Sequence, residues 1–314
     1  MQDTKNRISV VIPLYNKAAY VERAIHSVLA QGDTVMEIVV VDDGSTDDSA
    51  ARVEALGHPK VRLIRQPNGG PSSTRNRGIK ETLGDFVAFL DADDVYLPGF
   101  MDEIVGMMRQ FPDACLYATS YSRVWPDGRR QNAYLPRGIQ KDLPQIVDQL
   151  FYAFSRSSIF SISSSACVRK NVLTEHQIYF PVGENVGEDQ DVIFRLSEVG
   201  KIAFSPKFLA EYTQGISDSL YSVLPDYLPP CYIRLAQRLN LQGFPRSQKR
   251  GASRLLSVSY LNVARTKIER GKRLRAMRLL FNPNAFFHWT YWLRTLLRLF
   301  LPVSWFKARW LRWI

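Results

Sequence analysis

The chain has 314 residues, 46% of them hydrophobic, with 41 Lys and Arg against 30 Asp and Glu. This excludes a disordered chain and leaves room for one large domain with an appendage. The net charge of +11 belongs to one end: residues 229–314 hold 18 basic residues and a single acid, Glu269, so that stretch carries +17 and the remainder −6. A body at −6 has no electrostatic reason to seek polyanions, whereas a stretch at +17 does. The cysteines Cys115, Cys167 and Cys231 are odd in number and far apart, which argues against a disulfide framework or a zinc cluster and fits a reducing compartment. The early apolar run ISVVIPLY is too short for a signal peptide or a membrane span and lacks a basic n-region, so the folded body is expected in the cytoplasm.

Ile8 to Leu14 reads as a buried strand, and residues 18–31 as a helix on which Tyr20, Val21, Ala24, Ile25, Val28 and Leu29 recur at helical spacing. Met36 to Val41 is a second strand; the turn Asp42-Asp43-Gly44-Ser45 follows, and Thr46 or Asp47 caps the next helix. A third strand, Val61 to Arg65, leads through a Gly/Pro/Ser turn to a helix over residues 72–82, and residues 85–90 form a fourth strand. Repeated strand, loop and helix units imply right-handed crossovers and a mainly parallel α/β sheet with helices on both faces.

Each strand end carries polar groups: Pro13, Tyr15 and Asn16 after the first, Asp42, Asp43 and Ser45 after the second, Asn68, Gly70, Arg75 and Asn76 after the third. Singly they are turn and cap residues. Together they line one edge of one sheet, the edge where open α/β sheets bind ligands. The fourth strand runs into Asp91-Ala92-Asp93-Asp94. Residues two apart on extended chain project to the same side, so Asp91 and Asp93 can approach one cation, the kind of site that Mg²⁺ shares with a substrate diphosphate. The alternative is that Asp93 or Asp94 caps the helix whose first turn holds Pro98.

Further on, Leu116 to Ser122 reads as a strand, Pro126-Asp127-Gly128 as a hairpin turn, residues 142–154 as a helix and Ile162 to Val168 as a strand. Val192, Ile193, Leu196 and Val199 recur at helical spacing, which puts Glu188, Asp189 and Asp191 at a helix start, where acids offset the dipole or cap. His176 reads as a surface loop residue, with no second His or Cys at metal spacing.

Taken in order and spacing, ISVVIPLYNKAAYVERAIHSVLAQ, EIVVVDDGSTDDS, NGGPSSTRNRG and GDFVAFLDADD resemble the nucleotide-binding half of the inverting family-2 glycosyltransferases, a likeness that covers residues 8–95. The resemblance implies the GT-A (Rossmann-like) fold, a nucleotide-diphosphate sugar as donor, UDP-linked as the first expectation, and Mg²⁺ or Mn²⁺ as cofactor. It carries donor contacts to Pro13, Tyr15, Asn16, Asp42, Asp43, Ser45, Asn68, Gly70, Arg75, Asp91 and Ala92. Within that set Asp43 is expected near the uracil or ribose and Arg75 beside the donor, while Asp91 and Asp93 serve the metal. Val186-Gly187-Glu188-Asp189 resembles the family's acceptor-side motif, which makes Asp189 the expected base and Glu188 its helper.

Three departures stand out: Thr74 where Ala is usual, no His near Tyr212 and Ser219, and no Gln-x-x-Arg-Trp motif. The last implies transfer of one sugar rather than polymerisation, onto a glycan or lipid-linked acceptor of cell-surface polysaccharide synthesis. Other classes fit less well. A sugar nucleotidyltransferase needs a Gly-rich, basic loop where Pro13-Leu14-Tyr15-Asn16-Lys17 stand, and a dinucleotide oxidoreductase needs Gly-x-Gly-x-x-Gly. A nucleic-acid-binding protein has no use for the ordered strand-end acids, and nucleic acid is not expected as a partner.

The organisation expected is a catalytic domain over 1–215, a helical extension over 216–283 with helices near 231–240, 247–269 and 272–281, and a basic, aromatic segment over 284–314. Only 15 uncharged residues lie between Arg278 and Arg294, fewer than the roughly 20 apolar residues that span a bilayer. A helix over 285–301 aligns Phe286, Trp289, Leu293, Leu297 and Phe300 on one stripe and Arg294 and Arg298 on another, with Phe306, Trp310 and Trp313 aligned beyond. This segment is expected to lie on the cytoplasmic face of a membrane; the competing reading packs it on the catalytic domain or a second subunit.

Overall fold

The computed structural model describes residues 7–184, 186–215 and 226–301. These divide into two compact units, one of residues 7–148 and 157–215, the other of 149–156 and 226–301.

The first unit opens with β1 (Ile8–Leu14), α1 (Val21–Leu29), β2 (Val35–Asp42), α2 (Ser49–Ala55), β3 (Val61–Arg65), α3 (Gly70–Glu81) and β4 (Phe86–Phe89). β1, β2 and β4 are apolar on both faces and almost wholly buried, as a parallel sheet covered by helices requires. β1 pairs in parallel with β2 and β4, and β2 with β3. Leu14 lies opposite Asp42, and the Leu90 amide donates to the Val11 carbonyl at 3.0 Å. The polar ends of the strands therefore come out along one edge of the sheet.

The chain continues through β5 (Val95–Tyr96), α4 (Phe100–Gln110), β6 (Ala114–Val124), β7 (Arg130–Asn132) and β8 (Gln145–Ile146). After α5 (Leu150–Phe154), which belongs to the second unit, come β9 (Ala166–Arg169), α6 (Lys170–Glu175), α7 (Glu188–Val199) and β10 (Lys201–Thr213). The sheet order is β3-β2-β1-β4-β9-β6-β10-β5, with β7 on β6 and β8 on β10. The half built from β3, β2, β1 and β4 is parallel throughout. In the other half β10 runs parallel to β6, while β9 enters antiparallel between β4 and β6. β9 starts beside the carboxyl-end half of β6, where the Thr119 amide donates to the Ser165 carbonyl (2.9 Å) and Ala166 lies opposite Ala118, and it runs back antiparallel to both neighbours.

Two expectations are corrected here. Residues 142–154 are not one helix: Gln145 and Ile146 pair with Phe204 and Ala203, and only Leu150–Phe154 is helical. Pro144 holds no amide for a helical bond and disfavours helix in the residue before it. The strand expected from Ile162 begins only at Ala166, because Ser165 closes a turn on Ser161 through both its amide (2.9 Å) and its hydroxyl (3.0 Å). Serine side chains compete for the backbone in this way.

In the second unit α5 packs on α9 (Arg246–Glu269), preceded by α8 (Pro230–Leu239) and followed by α10 (Arg273–Leu280) and α11 (Trp289–Arg298). A Cβ on Gly251 would stand 3.0 Å from the Tyr152 amide nitrogen, so the glycine permits the close approach of α5. The helix expected over 285–301 is split. Residues Pro283–His288 form a 3₁₀ turn whose start is capped by the Asn282 side chain, which accepts from the Asn284 amide at 3.0 Å. Phe306, Trp310 and Trp313 lie outside the described residues, as does Ser219.

Candidate active site

The loop after β1 is set by Asn16, whose φ of +49° lies in the left-handed region that Asn tolerates better than most residues. It is tied to the loop after β2: the Asn16 amide donates to Ser45 Oγ (3.0 Å), its side-chain oxygen accepts from the Thr46 amide (2.8 Å), and the Lys17 amide donates to Ser49 Oγ (2.8 Å). This turn brings Lys17 Nζ to 3.0 Å from Asp93 Oδ2. Sequence reasoning gave Lys17 no role at the acids, and no local signal marks it, because its partner is far along the chain.

Asp42 accepts from the Ser45 amide at 3.2 Å. Asp43 accepts through Oδ1 from Gln66 Nε2 (2.7 Å) and the Gly69 amide (2.9 Å), and through Oδ2 from the Gly70 amide (2.8 Å). It thus shapes the loop ahead of α3. Asp42, Gly44, Ser45, Arg65, Gln66 and Pro67 line part of an open cavity of about 590 Å³ at this end of the edge.

α3 lies tight against β1: a Cβ on Gly78 would meet Val11 Cγ1 at 2.3 Å. One turn earlier Arg75 is buried and reaches Asp91 Oδ1 at 2.7 Å and Glu188 Oε1 at 3.5 Å, with its guanidinium 5.3 Å from the centre of the Phe180 ring. Burial works against its charge, but Asp91 and Glu188 raise its pKa above the ordinary arginine value. Asn76 clamps Phe180 from both sides, donating to its carbonyl (2.7 Å) and accepting from its amide (2.9 Å). Asn76 therefore supports the site rather than lining it.

The capping alternative for the acids after β4 fails, since β5 intervenes and α4 starts from Gly99 at φ +84°. Asp91 and Asp93 are half-buried at the strand end, and Ala92 between them is buried. Burial first, then Asp91, push the Asp93 carboxyl above its ordinary value against the pull of Lys17. Asp94 faces inward, accepting from the Thr213 amide (2.8 Å) and from Ser164 Oγ, and burial with Asp93 and Asp91 raises it well above the carboxylate range. It latches the end of β10 and the turn before β9 to the Asp91-Ala92-Asp93 segment.

Gly187, at φ +82°, starts α7 and places Glu188 and Asp189 in its first turn. Glu188 is buried, its Oε2 has no hydrogen-bond partner, and burial followed by the Asp189 charge pushes it up to about 7. Asp189 is half-buried, accepts from the Gln190 amide (2.7 Å), and is raised by burial and, less strongly, by Asp91. Asp191 is turned away, paired with Arg195 at 3.0 Å. The Tyr121 and Tyr212 rings lie 6.2 Å apart; burial raises Tyr212 first, and the charges of Asp91, Asp94 and Asp189 add to it. His176 is exposed at the end of α6.

Two carboxylates two residues apart are oxygen donors of the kind a hard divalent cation takes, although in this structure each is held by a basic side chain with which such an ion would compete, Asp91 by Arg75 and Asp93 by Lys17. Among the described residues no group of three His, Cys, Asp or Glu side chains forms a metal cage. An ion of the Mg²⁺ kind held by two carboxylates completes its shell with phosphate and water.

An α/β sheet with a carboxylate pair at a strand end, bridged by a buried arginine to a second acid pair, is the frame of a GT-A glycosyltransferase. The chain belongs to glycosyl transferase family 2, whose model matches residues 9–173. It is 41% identical over 109 residues to the uncharacterized glycosyltransferase YibD of Escherichia coli K12, covering 34% of this chain and 32% of that protein. To the uncharacterized glycosyltransferase alr2836 of Nostoc it is 33% identical over 214 residues, 66% of this chain and 64% of the relative. To the chondroitin synthase of Pasteurella multocida it is 29% identical over 62% of this chain and 19% of that one. The chain thus spans less than two thirds of the length of each. Among solved structures, residues 1–349 of S. aureus TarS in complex with UDP-GlcNAc match with a TM-score of 0.69 at 20% identity, over 92% of this chain and 90% of that one. The fold is shared.

Proposed function

We propose that the protein is an inverting, non-processive glycosyltransferase that moves a sugar from a UDP-sugar to a glycan or lipid-linked acceptor at the cytoplasmic side of a membrane, in cell-surface polysaccharide synthesis. The observation that carries this reading is Arg75, which joins Asp91 of the metal motif to Glu188 of the acceptor motif across 113 residues of sequence. Asp91 and Asp93 hold Mg²⁺ or Mn²⁺, which supplies the positive charge that a leaving diphosphate needs. Pro13, Tyr15, Asn16, Asp42 and Ser45 surround the nucleoside. Asp43 lies near the uracil or ribose and also holds the Gly69-Gly70 loop, where Asn68 lies; Ala92 stands between the two metal carboxylates.

In the transfer step an acceptor hydroxyl oxygen attacks the anomeric carbon as the bond from that carbon to the diphosphate breaks, and the electron pair leaves with the diphosphate. The hydroxyl proton passes to the Asp189 carboxylate, which has a raised proton affinity suited to a general base. Glu188 anchors Arg75 and so fixes the first turn of α7. TarS residues 1–349 were solved with UDP-GlcNAc and with UDP, which makes UDP-sugars the first donors to try. The test is a thermal-shift panel of UDP-, GDP-, dTDP- and CMP-sugars with Mn²⁺: a donor that binds only the folded protein raises its melting temperature. Stabilisation by a UDP-sugar that needs the metal is expected; no shift with any donor overturns the assignment.

A further inference from the structure

Two helices of the second unit leave large apolar side chains exposed. On α10 the stripe is Leu274, Met277 and Phe281, spaced three and four residues apart, while Ala276 and Leu280 on the opposite side are buried in the unit's core. On α11 and the turn that follows it the stripe is Trp289, Leu293, Leu297 and Phe300, opposite the buried Thr295 and Leu299. The two stripes meet at Trp292. Its indole N–H donates to the Leu280 carbonyl (2.8 Å), and its ring lies 6.2 Å from Phe281 and 5.0 Å from Phe286 of the 3₁₀ turn. The apolar surface is therefore continuous over α10, the turn and α11, and is not confined to the residues after 284 in which the sequence pattern is plainest.

Exposed basic residues border it: Arg273, Arg275 and Arg278 on α10 and Arg294 on α11. The described part of this unit holds two acids, Asp226 and Glu269, and both are already in ion pairs, Asp226 with Lys272 at 2.6 Å and Glu269 with Arg298 at 3.4 Å. No helix among the described residues is long and apolar enough to cross a bilayer.

We propose that α10, the 3₁₀ turn and α11 form one preformed docking surface for anionic lipid, which lies in the headgroup plane with the apolar stripe toward the acyl chains. A basic rim around an apolar, Trp-bearing face complements an anionic, amphipathic surface. The same rim opposes a second copy, since stacking two such faces would bring like charges together. This inference goes beyond the glycosyl-transfer reading and does not depend on it.

The test is flotation of the full chain with phosphatidylcholine vesicles, with and without phosphatidylglycerol. Binding to the anionic vesicles that weakens with salt is expected, since each basic residue near the surface contributes roughly fivefold to partitioning. The double variants Leu274→Ser/Met277→Ser and Trp289→Ser/Leu293→Ser change exposed side chains only, and unchanged circular dichroism verifies their fold. Each should lower binding on the order of tenfold. Three outcomes overturn the proposal: equal binding to neutral vesicles, binding lost with the α11 pair but untouched by the α10 pair, or no flotation together with self-association that the variants abolish.

Discussion

Asp91, Asp93 and Asp189 sit where the sequence pattern puts them, because each follows directly from the element it terminates or starts. Asp91→Asn or Asp93→Asn is expected to remove metal-dependent nucleotide binding with the fold intact, as read by calorimetry with Mn²⁺ and UDP beside a thermal melt. Asp189→Asn should keep donor binding and slow transfer by about 10²–10⁴-fold, the usual loss with a general base. Asp189 binds its proton more tightly than an ordinary aspartate; kcat of the native enzyme should accordingly rise with pH across an acid limb displaced upward, and that limb should vanish in the variant. Lys17 and Asp94 carry no such local signature: their partners, Asp93 for the first and Thr213 and Ser164 for the second, are 70 or more residues away in each case. Under the proposed function Lys17 would compete with the divalent ion for the Asp93 carboxylate. Lys17→Met should therefore bind Mn²⁺ on the order of tenfold more tightly without nucleotide, as the loss of one ammonium at about 3 Å from a half-buried oxygen implies; unchanged affinity by Mn²⁺ paramagnetic resonance would remove Lys17 from the metal site.

Among the elements, the strands of the nucleotide half were legible because an apolar run bounded by turn residues has few other readings. α5 and β9 were not. Pro144 was a visible stop that the helix reading over 142–154 passed across, and the turn Ser161–Ser165 is set by hydroxyl contacts that no periodicity reports. The position of Arg75 depends on how closely α3 approaches β1, and that is decided at Gly78. Gly78→Ala would drive its methyl into both Val11 methyl groups, at 2.3 and 2.9 Å. Overpacking of this kind costs about 1–3 kcal/mol. Urea denaturation should show the loss, and because α3 must lift, Mn²⁺-dependent UDP binding should weaken with it.

At the scale of the whole molecule, the acid cluster ties stability to pH. The folded Glu188 carboxyl keeps its proton up to about 7, against an ordinary value of 4.5. Its contribution is therefore fully present below about 4.5 and is lost as pH rises to 7, an effect of up to ~3 kcal/mol. Asp93, Asp94 and Asp189 are shifted the same way. The protein without ligands should melt at a lower temperature at pH 8 than at pH 5, and Glu188→Gln should flatten that slope; a melting temperature that climbs over this range would contradict the buried placement of Glu188. None of this could be read from the sequence, which shows Glu188 as one more acid at a helix start.

Arg75 has a consequence for the order of events. One guanidinium holds both Asp91 and Glu188; with donor and acceptor placed as proposed, the free energy of occupying one side would depend on the state of the other. Such coupling is reciprocal at equilibrium: whatever factor a bound donor applies to the affinity for acceptor, a bound acceptor must apply to the affinity for donor. The two halves of the cleft are thermodynamically one site, and a mutation that frees Arg75 from either acid should reduce them to two.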